Sequence, residues 1–162
     1  VKGFFRLYPP QNGQVGSRVR LRYGFVIECT SFEKDEQGLI TAVHVNYFPD
    51  SKSGTPGSDQ YKVKGNIHWV SASNAIAVEI RLYDRLFNDA NPTGAGKDFL
   101  SCINPNSKSV ITGYLEPSLK NISKEQRFQF ERHGYFVADR ADHQPEQPVF
   151  NLAVGLKDQW KK

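Results

Sequence analysis

The chain has 162 residues, 38% hydrophobic and 23% charged, which suits one ordinary domain or two small ones and excludes a disordered or low-complexity segment. No apolar run approaches the length needed to cross a bilayer, no charged-then-apolar leader opens the sequence, and two cysteines are few for a secreted scaffold of this size, so a soluble, cytoplasmic protein is expected. Lys and Arg total 21 against 17 Asp and Glu, a net +4 that points only weakly to polyanions.

Aromatic residues make up 12% of the chain, and with many β-branched residues they favour strands over helices. The sequence opens inside a strand-like run, Val1–Leu7, and contains no Met, as expected of a piece of a longer protein. Pro9-Pro10-Gln11-Asn12-Gly13 is a loop by composition. One strand is then predicted from Arg18 to Ile27, where Val19, Leu21, Tyr23, Phe25 and Ile27 alternate with Arg18, Arg20 and Arg22. Period two puts the arginines on one face and the apolar set on the other. Glu33–Gly38 reads as a hairpin turn, with a return strand over Leu39–Phe48. Pro49–Gln60 reads as a flexible surface tip. Further strands are predicted at Tyr61–Val70, Ala75–Leu86, Val110–Leu115, Arg127–Phe130, Tyr135–Ala138 and Val149–Leu156, and Ser118–Gln126 has modest helical character. Asn91–Gly96 breaks the pattern and is the candidate boundary between two subdomains. Cys29 and Cys102 are expected to be small buried hydrophobes.

Catalytic motifs are missing. There is no phosphate-cradling Gly-rich loop and no Gly-x-Ser-x-Gly elbow, and His44, His68, His133 and His143 do not stand at metal-ligand spacing. A binding module is favoured over a self-contained enzyme. Arg18, Arg20 and Arg22, about 7 Å apart along a strand, match the spacing of phosphates on a nucleic-acid strand; a solvated sheet face explains them nearly as well. In Arg127–Arg132, Phe128 and Phe130 would point inward and Gln129 outward. Gln and Arg suit the reading of exposed base edges, although an ordinary edge strand accounts for this segment too. Ile67-His68-Trp69-Val70 reads as structural, with a packed Trp and a hydrogen-bonded His.

Taken together, six segments resemble the C-terminal anticodon-binding region of glutaminyl-tRNA synthetases. They are Gly3–Leu7, Arg18–Tyr23, Val63–Ser71, Glu79–Phe87, Phe128–Phe136 and Pro148–Asn151, in family order over nearly the whole chain. The resemblance implies an all-β fold of two strand-exchanging six-stranded β-barrels: a distal one over residues 1–88 and the C-terminal part of a proximal one over 89–162. It implies that Gln129 and Arg132 contact the middle anticodon base, and that Arg6, Arg20 and Arg22 contact the flanking bases and phosphates. Some members carry a lysine where this chain has Phe5.

The resemblance further implies tRNA and an upstream catalytic domain as partners, a monomer, and no membrane association. No cofactor is expected on this region, whereas the full enzyme uses ATP and magnesium to join glutamine to its tRNA. Two alternatives stand beside it. One is the corresponding domain of an archaeal or eukaryotic-type glutamyl-tRNA synthetase; the other is a β-barrel that binds protein or carbohydrate.

Overall fold

The computed structural model describes residues 7–156. The expected all-β class is observed: nine strands, four short 3-10 turns and, among the described residues, no α-helix. The chain forms two compact units, Val1–Trp69 and Val70–Lys162, each with its own sheet. The sheets hold four and five of the described strands, against six per barrel in the sequence reading, and each is drawn from one continuous stretch of chain.

In the first unit the predicted Arg18–Ile27 strand is a hairpin. β1 (Arg18–Leu21) ends at a tight turn, and β2 (Val26–Lys34) returns antiparallel, pairing Arg18 with Glu28, Val19 with Ile27 and Arg20 with Val26. The turn is closed by Gly24 N–H donating to the Leu21 carbonyl at 2.8 Å, with Tyr23 at φ +58°. Apolar alternation survives such a reversal, because residues paired across an antiparallel ladder share a face. Val19 and Ile27 are therefore both buried although the chain has turned between them.

β3 (Ile40–Phe48) follows across a turn that lies within the predicted Glu33–Gly38 stretch and runs on to Leu39, and the Asp35 carboxylate accepts from the Gln37 and Leu39 amides at 3.0 and 2.8 Å. It is an edge strand, and much of its apolar surface is exposed, including Ile40, Val45 and Tyr47. Of the strand expected over Tyr61–Val70, only β4 (Asn66–Ile67) pairs, parallel to β1.

Two loops in this unit are more ordered than their composition indicates. Tyr8–Ser17 is a small hairpin with Asn12 and Gly13 both at positive φ in its turn. Its base lies so close to β2 that a Cβ on Gly16 would come within 1.8 Å of the Cys29 carbonyl oxygen. Pro49–Gln60, expected to be a flexible tip, contains two 3-10 turns, Pro49–Ser51 and Ser58–Gln60. Ser51 is fully buried; its hydroxyl accepts from the Val26 amide at 2.7 Å and donates to the Phe48 carbonyl at 2.6 Å. Most of the segment is exposed, as a surface tip should be, but Ser51 and Ser58 are buried and their hydrogen-bonding groups face the chain.

The second unit contains β5 (Ile76–Tyr83), β6 (Lys108–Leu115), β7 (Arg127–Phe130), β8 (Gly134–Ala138) and β9 (Val149–Gly155), in spatial order β6-β5-β9-β8-β7. β5, which the sequence reading assigned to the first unit, pairs with β6 over its whole length and with β9 in parallel. Asn91–Gly96 accordingly lies in the excursion between two paired strands. Ser118–Gln126 contributes only the end of a 3-10 turn, Pro117–Leu119.

The core of this unit is Val78, Ile80, Leu115, Phe136, Ala138 and Phe150, with Phe128 and Phe130 packed against it. Phe130 stacks on Phe136 at 4.5 Å between ring centroids, and Phe128 meets Phe150 edge-on at 6.2 Å. A polar brace closes the sheet behind them. The guanidinium of Arg81 pairs with Glu79 at 2.6 Å, Asp142 at 2.7 Å and Asp139 at 3.4 Å. Asp139 also accepts from the amides of Asp142 and Ala141 and from Asn151 Nδ2 at 2.6 Å. These bonds, the Asp142 amide foremost, hold its carboxyl down to about 2.

Buried His143 bridges the Val149 backbone and the Ile122 carbonyl. Of the cysteines, Cys29 is buried, which pushes its thiol pKa up, while Cys102 is only half-buried.

Candidate nucleic-acid interface

The arginines of the first unit do not form the single outward stripe that period two predicts. Arg18 pairs with Glu28 across the hairpin at 2.5 Å and lies 4.7 Å over the Phe48 ring. The acid that compensates it sits ten positions along the chain and becomes its neighbour only because the chain turns at Tyr23. Arg22 lies in the turn itself. Its guanidinium is 5.0 Å from the Tyr23 ring centre, and its carbonyl accepts from Trp69 Nε1 at 3.0 Å. Trp69 is thus hydrogen-bonded but 45% exposed, and neither it nor His68 lies in a strand.

Arg20 is half-buried under the Pro49–Tyr61 segment. Its guanidinium donates to the carbonyls of Ser51, Ser58 (3.0 Å) and Tyr61 (3.4 Å) and reaches Ser53 Oγ at 3.5 Å. A planar fork with several donors can gather carbonyls from separate turns in this way, which a lysine cannot do. Beside it opens a groove of about 430 Å³, whose rim includes Tyr61, Lys62 and Lys64. Arg6 lies outside the described residues.

In the second unit the sequence-predicted pair stands at one hairpin. Phe128 and Phe130 point into the core, so the alternation of β7 turns Gln129 outward, where it is exposed. Arg132 occupies the β7–β8 turn at φ +67°, a left-handed conformation that costs a non-glycine residue roughly 1 kcal/mol. The turn is closed by His133 N–H donating to the Phe130 carbonyl at 2.9 Å. Gly134 follows where a Cβ would meet the Val154 carbonyl oxygen at 2.6 Å, so β8 can leave the turn flat against β9 only with glycine there.

Tyr135 was missed by sequence reasoning. It is the ladder partner of Gln129, it is 47% exposed, and next to it on β9 stands Val154. Partners directly across an antiparallel pair have Cβ atoms about 5 Å apart, so Gln129 and Tyr135 form one polar and aromatic patch on a hairpin whose turn carries the exposed Arg132. The available signal was alternation about buried Phe136, which sends its neighbour Tyr135 to the face of Gln129.

The structure therefore places Arg20 and Arg22 in the first unit, and Gln129 and Arg132 in the second. Among the described residues no group of three or more His, Cys, Asp or Glu side chains could hold a metal ion. None of the helical turns described is long and apolar enough to cross a membrane.

Comparison with known proteins bears on the same residues. The family described as tRNA synthetases class I (E and Q), anti-codon binding domain, matches residues 66–139, which include β5 to β8, Gln129, Arg132 and Tyr135. The glutamine–tRNA ligase of Polynucleobacter necessarius is 66% identical over 99% of this chain, that of Polynucleobacter asymbioticus 67% over 99%, and that of Nitrosomonas europaea 61% over 99%. The chain spans about a quarter of the length of these relatives, 27% of the first two and 28% of the third. At such identity along nearly its whole length, with the domain match inside it, the chain belongs to the glutaminyl-tRNA synthetase family and carries its anticodon-binding domain.

Proposed function

We propose that this chain recognises the anticodon loop of a glutamine-accepting tRNA on behalf of a full-length glutamine–tRNA ligase. The catalytic domain of that enzyme lies upstream and uses ATP and magnesium, and the enzyme is a cytoplasmic monomer. The chain itself is not catalytic. Gln129 and Arg132 read the middle anticodon base by hydrogen bonds to its exposed edge, while the ring of Tyr135 gives the unstacked base a face to lie on. Arg6 and Arg22 serve the flanking nucleotides and their phosphates, while Arg20, whose guanidinium donates to the Ser51, Ser58 and Tyr61 carbonyls, acts by holding that segment in place.

One observation carries most of this reading. The β7–β8 hairpin pairs Gln129 with Tyr135 on its outer side and carries the exposed Arg132 in its turn, while its inner face is locked by stacked phenylalanines. Fixing polar groups on a rigid element lowers the cost of ordering them when RNA arrives.

The test is Arg132→Ala in the full-length parent enzyme, charging the glutamine tRNA and a variant altered at the middle anticodon base. A base-edge contact is worth about 1–3 kcal/mol of discrimination, so the preference for the cognate tRNA should fall roughly 5- to 150-fold. An unchanged ratio would remove the role of this residue. The glutamyl alternative shares the domain description, but the relatives named above are glutamine ligases. A protein- or carbohydrate-binding role predicts no tRNA binding in a direct titration.

A further inference from the structure

The groove beside Arg20 belongs to the first unit and has a construction of its own. It is lined by Arg20, Ser58, Asp59, Tyr61, Lys62 and Lys64, so three cations face one carboxylate. Its wall is fixed from behind. Arg20 gathers the Ser51, Ser58 and Tyr61 carbonyls, and buried Ser51 ties the same segment to β2. The Tyr61 hydroxyl donates to Asp50 at 2.6 Å, and its ring packs on Phe48 at 5.3 Å between centroids. Lys62 and Lys64 are both exposed and stand two residues apart on this wall. Ammonium groups offer a point charge without base selectivity, which suits phosphates rather than base edges.

We infer that this groove seats a stretch of RNA phosphodiester backbone. Lys62 and Lys64 contact the phosphates, and Arg20 is the positioning residue that holds the wall in shape. The inference rests on the RNA-binding reading above and adds to it a sequence-independent contact site. Neutralising phosphates releases counterions, so each lysine adds about 0.7 to the steepness of the logarithmic salt dependence on single-stranded RNA.

The experiment uses the 162-residue chain. Binding of a glutamine tRNA transcript and of an unrelated tRNA transcript is followed by fluorescence anisotropy over a range of potassium chloride concentrations. Changing Lys62→Ala and Lys64→Ala together should flatten the salt slope by about 1.4. Affinity for the two transcripts should fall by the same factor, and the double Lys→Arg variant should restore the slope. Unfolding midpoints should stay close to the parent's, because both side chains are exposed.

Arg20→Lys keeps the charge. It should nevertheless lose hydrogen-exchange protection over residues 49–61 and lower the affinity for both transcripts together. An unaltered slope in the alanine variant, a loss confined to one transcript, or equal competition by polyglutamate would overturn the groove while leaving anticodon reading intact. If the unmodified chain binds neither transcript, both proposals fall. Lost protection with unchanged affinity in Arg20→Lys would remove Arg20 from this one.

Discussion

The β1–β2 hairpin and the β7–β8 hairpin carry similar residues and use them in opposite ways. Around β1 the charged side chains hold the protein together: Arg18 answers Glu28, and Arg20 gathers a loop that would otherwise leave its carbonyls unsatisfied. Around β7 the packing is carried by Phe128 and Phe130, which leaves Gln129 facing out and Arg132 at the turn. The same alternation of charged and apolar residues therefore encodes an internal clamp in one place and a displayed surface in the other. The difference lies in what covers the second face of the strand pair, and that is supplied by distant sequence.

Four substitutions or titrations probe this contrast, taken in descending size. Phe130→Ala removes the ring stacked between Phe136 and Phe150 and should cost about 3 kcal/mol in urea unfolding, the lower end for a large aromatic because the residue is half-buried. It should also scramble the β7–β8 turn, seen as lost hydrogen-exchange protection at residues 127–137. Arg20→Ala should cost about 2–3 kcal/mol, since charge-assisted bonds to several carbonyls go at once. Limited proteolysis should then cut within residues 49–61. An Arg20→Ala protein as stable and as resistant as the parent would mean that the clamp is idle and the contrast with β7 is empty.

Acid should open the second unit through Asp139. Its carboxyl is held at about 2 against 3.8 when free, so its contribution is fully present above about pH 4 and is lost as the pH falls through 2. The shift corresponds to at most about 2.5 kcal/mol. Asp139→Asn should flatten the stability profile in that window. The smallest effect is expected at Arg132→Gly. Glycine accepts φ +67° without penalty, and relief in the turn roughly balances the added freedom of the unfolded chain, so stability should stay within about 1 kcal/mol. Discrimination at the middle anticodon base should nonetheless drop as far as it does in Arg132→Ala. A large stability loss would instead mark Arg132 as a structural residue of the turn.

The parts of the fold legible in the sequence are those where local chemistry and tertiary demand agree. β7 has the predicted bounds, and its two phenylalanines announce the buried face, so Gln129 could be placed outward from residue order alone. The Asp35 turn is legible because an aspartate that accepts its own downstream amides is a local device.

Arg18–Ile27 reads as one strand because its apolar alternation runs unbroken through Tyr23, an uncommon residue at positive φ, and a single glycine, Gly24, does not by itself mark a reversal. Pairing between Arg20 and a loop more than thirty positions away leaves no trace in a local window. β5 was assigned to the first unit because its partner β6 lies beyond an excursion whose Pro and Gly content reads as a boundary. For Tyr135, alternation about Phe136 gives the outward face, but the register with β7 is needed to bring it opposite Gln129.

The small Tyr8–Ser17 hairpin has a practical consequence for anyone who wishes to tag or randomise this chain. At its tip a Cβ built on Gly13 would meet nothing within 4 Å, so an affinity epitope or a few added residues can be inserted there, although replacing Gly13 itself, at φ +77°, would strain the turn. Three positions later the backbone of Gly16 rests against Cys29 with no room for even a methyl group, and a saturation library should return only the parental codon family at that site. Permissive and forbidden insertion points thus lie within a single turn of chain.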